Sequence, residues 1–126
     1  MQKKILLLGL SILVLAGCAT STRYVGYTAQ RFPPKDEQYV VNVYPESQVL
    51  SVSNPYYVIG KISIEGFVSN GVSPVTLTNQ AKEIAKKRGA DAIINAGTMA
   101  FHYYGGDALL RFTGELIVYA PVVTKQ

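Results

Sequence analysis

The chain has 126 residues, 48% of them hydrophobic, with one cysteine, one histidine and a formal net charge of +4. That length fits one small domain, a lone cysteine excludes an internal disulfide or a thiolate metal cluster, and so few cations exclude the clustered basic surface that nucleic acid requires. Part of even this charge belongs to the N-terminus: removing residues 1–17 takes away Lys3 and Lys4 and no acid, leaving ten basic and eight acidic side chains.

Lys3-Lys4 is followed by a nearly unbroken apolar run from Ile5 to Ala16. Twelve residues are too few to cross a bilayer core of roughly 30 Å, which takes about 20, and a charged start before a short apolar run is the layout of a secretory signal. The run ends in Leu15-Ala16-Gly17-Cys18, which resembles the lipobox of bacterial lipoproteins. That resemblance implies a signal peptide over 1–17, a diacylglyceryl group on the Cys18 thiol and a mature N-terminus at Cys18. Two or three acyl chains hold a protein to a bilayer far more firmly than one. Ala19 stands where an Asp would resemble the signal for inner-membrane retention, so the resemblance implies the periplasmic face of the outer membrane.

Residues 18–38 read as a lipidated N-terminus and tether, because the stretch is polar and Pro33-Pro34 removes two donors and fixes two φ angles. Tyr24, Val25, Tyr27 and Phe32 are more apolar than a free linker requires, so part of this arm is expected to pack along the domain rather than serve as an aromatic interaction arm. The domain itself is placed at 39–126, and residues 36–126 are expected to fold without the signal or tether.

Tyr39-Val40-Val41-Asn42-Val43-Tyr44 is dense in β-branched and aromatic residues and stops at Pro45, which predicts a strand. Ser51 to Pro55 reads as a turn. Val58, Ile62 and Ile64 then alternate with Lys61, Ser63 and Glu65, a strand with one buried and one wet face. Gly60 on the buried face marks a bulge or a close approach, and Asn70-Gly71 closes the strand. The next segment predicts one helix, capped by Ser73 with Pro74 in its first turn. Thr76 and Thr78 are alternative caps. Leu77, Ala81, Ile84 and Ala85 form its apolar stripe, Lys86-Lys87-Arg88 suit the negative end of its dipole, and Gly89 ends it in a left-handed conformation. At that position Asn is expected to be tolerated better than Ala, and Val least.

Ala90 to Ala96 is a strand covered on both faces, continuing past a kink at Gly97 to Tyr104. Gly105-Gly106 suits a tight hairpin. The returning strand sets Leu110, Phe112, Leu116 and Val118 against Arg111, Thr113 and Glu115 before Pro121 ends it. The predicted order is β-β-α-β-β, an α+β domain with about four strands and one helix packed on one face, leaving the other face wet or against a partner.

Pro33-Pro34, the stretch Pro55-Tyr56-Tyr57-Val58-Ile59-Gly60-Lys61-Ile62 and the passage Lys87-Arg88-Gly89-Ala90-Asp91-Ala92-Ile93-Ile94 resemble a broad group of small, mostly uncharacterised bacterial envelope lipoproteins. In layout they are similar to a small α/β family named for heavy-metal binding and to the lipoprotein sensor of the Rcs envelope-stress relay. That sensor's paired cysteines are missing here, so only the lipidated Cys18 carries over.

Neither enzyme nor cofactor is expected. His102 and Asp107 flank the Gly105-Gly106 hairpin, but no motif supplies a nucleophile for them to activate, and one histidine among scattered carboxylates lacks metal-ligand spacing. Tyr56, Tyr57, Tyr103 and Tyr104 are the candidate interaction surface, since tyrosine favours interfaces and stacks on sugars; cross-strand packing is their simpler role. The expected function is that of a membrane-anchored, non-enzymatic interaction or accessory module whose partner is another envelope protein. The alternatives are small-ligand or glycan binding through the tyrosines, and envelope-stress sensing. An apolar patch on the sheet face opposite the helix would favour a protein partner, and a concave pocket a ligand.

Overall fold

Ile62 and Ile64 are fully buried while the alternating Lys61, Ser63 and Glu65 reach solvent, and this period of two runs from Gly60 to Phe67 of a twelve-residue strand, β3 (Tyr56–Phe67), which bulges between Val58 and Gly60. The computed structural model describes residues 19–52 and 54–120; Cys18, the apolar run Ile5–Ala16 and Pro121 lie outside the described residues. β3 pairs antiparallel with β5 (Ala108–Tyr119), which pairs antiparallel with β4 (Ala92–His102). β2 (Asn42–Pro45) lies parallel to β4 at one edge, and β1 (Ser21–Gly26) antiparallel to β3 at the other. The order across the sheet is β1-β3-β5-β4-β2. One helix, α1 (Pro74–Lys87), and this mixed sheet make a single α+β domain. The sheet has five strands where the sequence predicts about four, and the extra one comes from the stretch read as tether.

The helix forms where the local signals place it. The Ser73 hydroxyl accepts from the Thr76 N–H and the Thr76 hydroxyl accepts from the Ser73 N–H, a reciprocal cap with Pro74 directly after it. Leu77, Ala81 and Ala85 are buried against Ile62, Ile64, Leu110, Phe112 and Leu116, the core between helix and sheet. At the other end the Ala90 N–H bonds the Ala85 carbonyl and the Gly89 N–H bonds the Lys86 carbonyl, with Gly89 at φ +74°. This is a Schellman closure, which glycine enters without a β-carbon penalty.

Three boundaries differ from the sequence-based expectation. β2 begins at Asn42, three residues after Tyr39, and it includes Pro45, which an edge strand tolerates. The irregularity in β4 falls between Ile94 and Gly97 rather than at Gly97 itself. Asn95 takes φ +52° there and its amide donates to Glu115 Oε1 at 2.7 Å, a conformation that asparagine reaches more easily than most side chains. The third difference is the supposed tether. β1 begins three residues after Cys18, the Tyr27 N–H continues its pairing by bonding the Ile59 carbonyl, and the chain then straps across the end of α1. The Lys35 N–H bonds the Lys86 carbonyl at 2.8 Å, Phe32 packs on the core, and the Lys35 ammonium lies 2.6 Å from Asp91. Residues 19–38 are therefore a working part of the domain, and its N-terminal boundary lies well ahead of residue 39.

Candidate functional site

The four candidate tyrosines do not form one surface. Tyr56 and Tyr57 open β3, where consecutive side chains point to opposite faces. Tyr56 is half-buried in a small second core with Tyr44, Val52, Val58 and Tyr119 around Ala92, Ile94 and Ile117, while Tyr57 is 64% exposed opposite Val118. Tyr103 and Tyr104 belong to the β4–β5 hairpin at the other end of the same strands, roughly 35 Å away at about 3.3 Å per residue. Tyr103 packs on Phe67 with ring centroids 5.8 Å apart, and Tyr104 is fully exposed.

The hairpin end is the more distinctive of the two. Phe67, Leu109 and Phe101 lie in register across β3, β5 and β4 on the face opposite the helix. One row in, the Arg111 guanidinium bonds Glu65 at 2.9 Å and lies 4.9 Å from the centre of the Phe101 ring. Beyond that row the middle of the face is polar, with Lys61, Ser63 and Thr113. This face thus carries apolar residues at both ends: the exposed row at the hairpin end, and at the other end the small second core around Ala92, Ile94 and Ile117, with half-exposed Val25 beside Lys61 on β1. The exposed row adjoins an open edge: β2 pairs with β4 only as far as Ala96, so Gly97 to His102 has no strand partner on its outer side among the described residues. Along that edge Met99 is 64% exposed, and from Ala92 to Gly106 there is no Lys, Arg, Asp, Glu or Pro. Natural proteins guard sheet edges with such residues, as β1 does with Arg23 and β2 with Pro45.

His102 and Asp107 sit near one another by register, since His102 pairs with Ala108, but the Asp107 carboxylate is engaged elsewhere. It accepts from the Ser69 hydroxyl at 2.7 Å, the Ser69 N–H at 3.1 Å and the Ala108 N–H at 2.8 Å. The Ser69 hydroxyl bond is the main reason its carboxyl titrates below the usual carboxylate range; desolvation opposes it, and the two N–H bonds add to the lowering. This arrangement ties the turn after β3 to the hairpin and leaves His102 exposed. No group of three or more His, Cys, Asp or Glu among the described residues is placed to hold a metal ion.

Sequence reasoning did not single out the cluster at the opposite end. The Tyr24 ring lies over Gly60, its hydroxyl donating to the Ile59 carbonyl at 3.3 Å, and the Arg88 guanidinium stacks 3.6 Å from the ring centre. Burial pushes the Tyr24 hydroxyl pKa up, partly offset by the Arg88 charge. Beside it, Thr28 to Phe32 of the strap, Lys87 and Arg88 border a recess of about 550 Å³. A second recess of about 360 Å³ on the far side of the strap is lined by Phe32, Tyr57, Ile59 and Val118. The sequence signals for this region are Gly60 on a buried face and the apolar residues of the arm, whose expected packing along the domain is seen at Tyr24 and Phe32.

No family model and no curated protein matches the chain. Among solved structures, the Francisella virulence factor FvfA, in an orthorhombic crystal form, superposes with a TM-score of 0.51 at 20% identity, over 75% of this chain and 96% of that one. At that identity the likeness is one of fold. No helix among the described residues is long and apolar enough to cross a membrane.

Proposed function

We propose that this chain is a lipoprotein of the bacterial cell envelope, anchored through Cys18 at the periplasmic face of the outer membrane. It acts there as a non-enzymatic interaction module that receives an extended segment of another envelope protein along the free edge of β4. One observation carries the reading: Gly97 to His102 has no strand partner on its outer side among the described residues, carries exposed Met99 and Phe101, and has no charge or proline to repel a further strand. Strand addition draws affinity from main-chain hydrogen bonds and specificity from alternate side chains. Two measurements test it. Cys18→Ser should leave an unlipidated precursor that keeps residues 1–17; normal processing of that variant would remove the anchor from the reading. A photo-crosslinking residue at Met99 in living cells should trap a discrete partner, whereas one at Lys82 on the outer side of α1 should not. Equal trapping from both positions, or from neither, would count against the edge.

The second reading is small-ligand binding at the recesses flanking the strap, favoured by the three cations Arg31, Lys87 and Arg88 around the larger one, which suit an anionic ligand. A sugar would not stack on Tyr24, whose ring face Arg88 already covers, but Tyr57 is free to line the smaller recess.

A further inference from the structure

Resting on the lipoprotein reading above, we propose that the hairpin end of the domain is a membrane-docking surface whose occupant is the lipid bilayer itself. The first observation is where the chain leaves the fold. Ser21 pairs with Glu65, two residues before the end of β3. A β-carbon on Gly66 would meet the Ala19 carbonyl at 2.8 Å, and the Thr20 hydroxyl donates to Gln80 Oε1 at 3.0 Å. Ala19 is therefore pinned at the hairpin end of the sheet, and the residue that would carry the lipid is one peptide bond, about 3.8 Å, further back. No flexible leash lies between the anchor and the fold.

The second observation is what that end exposes. Phe67, Val68, Val75, Phe101, Tyr103 and Tyr104 are all solvent-facing there, brought together by the end of β3, the start of α1 and the β4–β5 hairpin. Asp107 is the one ionisable acid in the hairpin, and its carboxylate is tied to Ser69. The cations Lys35, Lys86, Lys87 and Arg88 gather at the opposite end, around the C-terminus of α1. A surface rich in aromatic and aliphatic side chains and poor in charge, held within a residue or two of an acyl anchor, suits the headgroup boundary, where tyrosine keeps its ring in the apolar layer and its hydroxyl in the wet one. The tip would sink about 5–10 Å into that boundary. The strands would then stand upright on the membrane, presenting the free edge of β4 sideways and close to the bilayer surface.

The chain contains no tryptophan and a single cysteine, which gives a direct test. The chain from Cys18 to Gln126 is coupled through its thiol to a maleimide lipid in phosphatidylcholine–phosphatidylglycerol vesicles, once with Tyr104→Trp and once with Tyr57→Trp; both positions are exposed, so neither change reaches the core. The expected result is that emission of the Tyr104→Trp protein moves to shorter wavelength and is quenched by brominated lipid, while that of the Tyr57→Trp protein stays water-like and unquenched. Equal behaviour of the two, whether both quenched or neither, overturns the docked orientation. Lipid labelling of Cys18 in cells is measured separately, so a failure of the anchor is told apart from a failure of the tip; absence of the label there removes the premise and with it the proposal.

Discussion

Gly60 is the position at which the strand's backbone and the strap's aromatic anchor compete for one volume. Its φ is not among the left-handed ones, so nothing in the backbone demands glycine. What demands it is Tyr24: a β-carbon on Gly60 would fall 2.7 Å from Tyr24 Cε2 and closer still to Cζ and the hydroxyl, and these are its three nearest neighbours. In Gly60→Ala the ring must swing away. It then loses the Arg88 stack, about 0.5–1 kcal/mol for a partly exposed pair, and the hydroxyl bond to Ile59, about 0.5–1.5 kcal/mol. The expected cost is about 2 kcal/mol, within the range of an overpacked site. In a Tyr24→Ala background the three nearest clashing atoms are gone, and the same substitution should be neutral, or stabilising by a few tenths of a kcal/mol through the unfolded chain. Urea titrations of the four proteins of this cycle, made as Cys18–Gln126, read the coupling directly, and about 2 kcal/mol is expected. A Gly60→Ala cost that is the same with and without Tyr24 would refute the packing of the ring over the glycine, and with it the account of what fixes β1 to the sheet.

Residues 36–126 alone should lose at least about 3 kcal/mol, since they lack β1, the Tyr24 ring and the Phe32 contact; amide dispersion and urea midpoint compared with Cys18–Gln126 check this. Asp91→Ala should cost about 2–3 kcal/mol by equilibrium unfolding, because it strands the Tyr119 N–H that Asp91 accepts at 2.7 Å and the Lys35 ammonium beside it. Asp107 has a folded pKa below its unfolded value of about 3.9, so its contribution is present above that pH and is lost as pH falls through the folded value. The acid limb of a stability–pH profile should be shallower in Asp107→Asn. Gly89→Asn should melt no higher than Gly89→Ala, with Gly89→Val lowest, because any β-carbon there meets Phe32 Cβ at 2.7 Å and the Pro33 carbonyl closer still. An Asn variant that melts near the wild type would show that the strap does not press on this turn.

The helix and the two long strands were legible because their signals are local. Ser73, Pro74 and Thr76 satisfy the first turn from within four residues, Leu77, Ala81 and Ala85 mark one stripe, and Gly89 closes the last turn. β3 and β5 announce themselves by alternation, because one face is buried and the other is wet. β1 has no such signature. Of its six residues only Tyr24 is partly buried, so its pattern carries no period, and its strand identity comes from β3, some forty residues away in the chain. The rule that glycine marks irregularity places the kink in β4 at Gly97, yet a β-carbon on Gly97 would meet nothing within 4 Å and Asn95 takes the left-handed turn instead. The tyrosine pairs were misleading for a related reason. Adjacency in a strand separates two side chains onto opposite faces, and only the topology reveals which ends of the sheet the pairs occupy.

The reading of residues 19–38 as a tether shows where composition stops being informative. Polarity, few aliphatic residues and a Pro-Pro pair describe what a segment lacks for making structure by itself. They say nothing of what it finds on a neighbouring surface. Here the segment finds a free edge on β3, the open space above Gly60 and the bare backbone at Gly89, and the proline pair that argued against regular structure lets an extended chain turn over the helix end with the Pro33 carbonyl against that glycine. Three glycines in the domain, Gly60, Gly66 and Gly89, are thus crowded by residues of the supposed linker, and none can be replaced without something shifting. The consequence reaches function through length alone. A free tether of twenty residues would average about 25 Å from anchor to domain and leave its orientation undefined, whereas a strand that starts at Ser21 fixes which end of the sheet lies beside residue 18. If that residue carries lipid, the orientation of β4's free edge to the bilayer is set by the hydrogen bonds of β1 to β3.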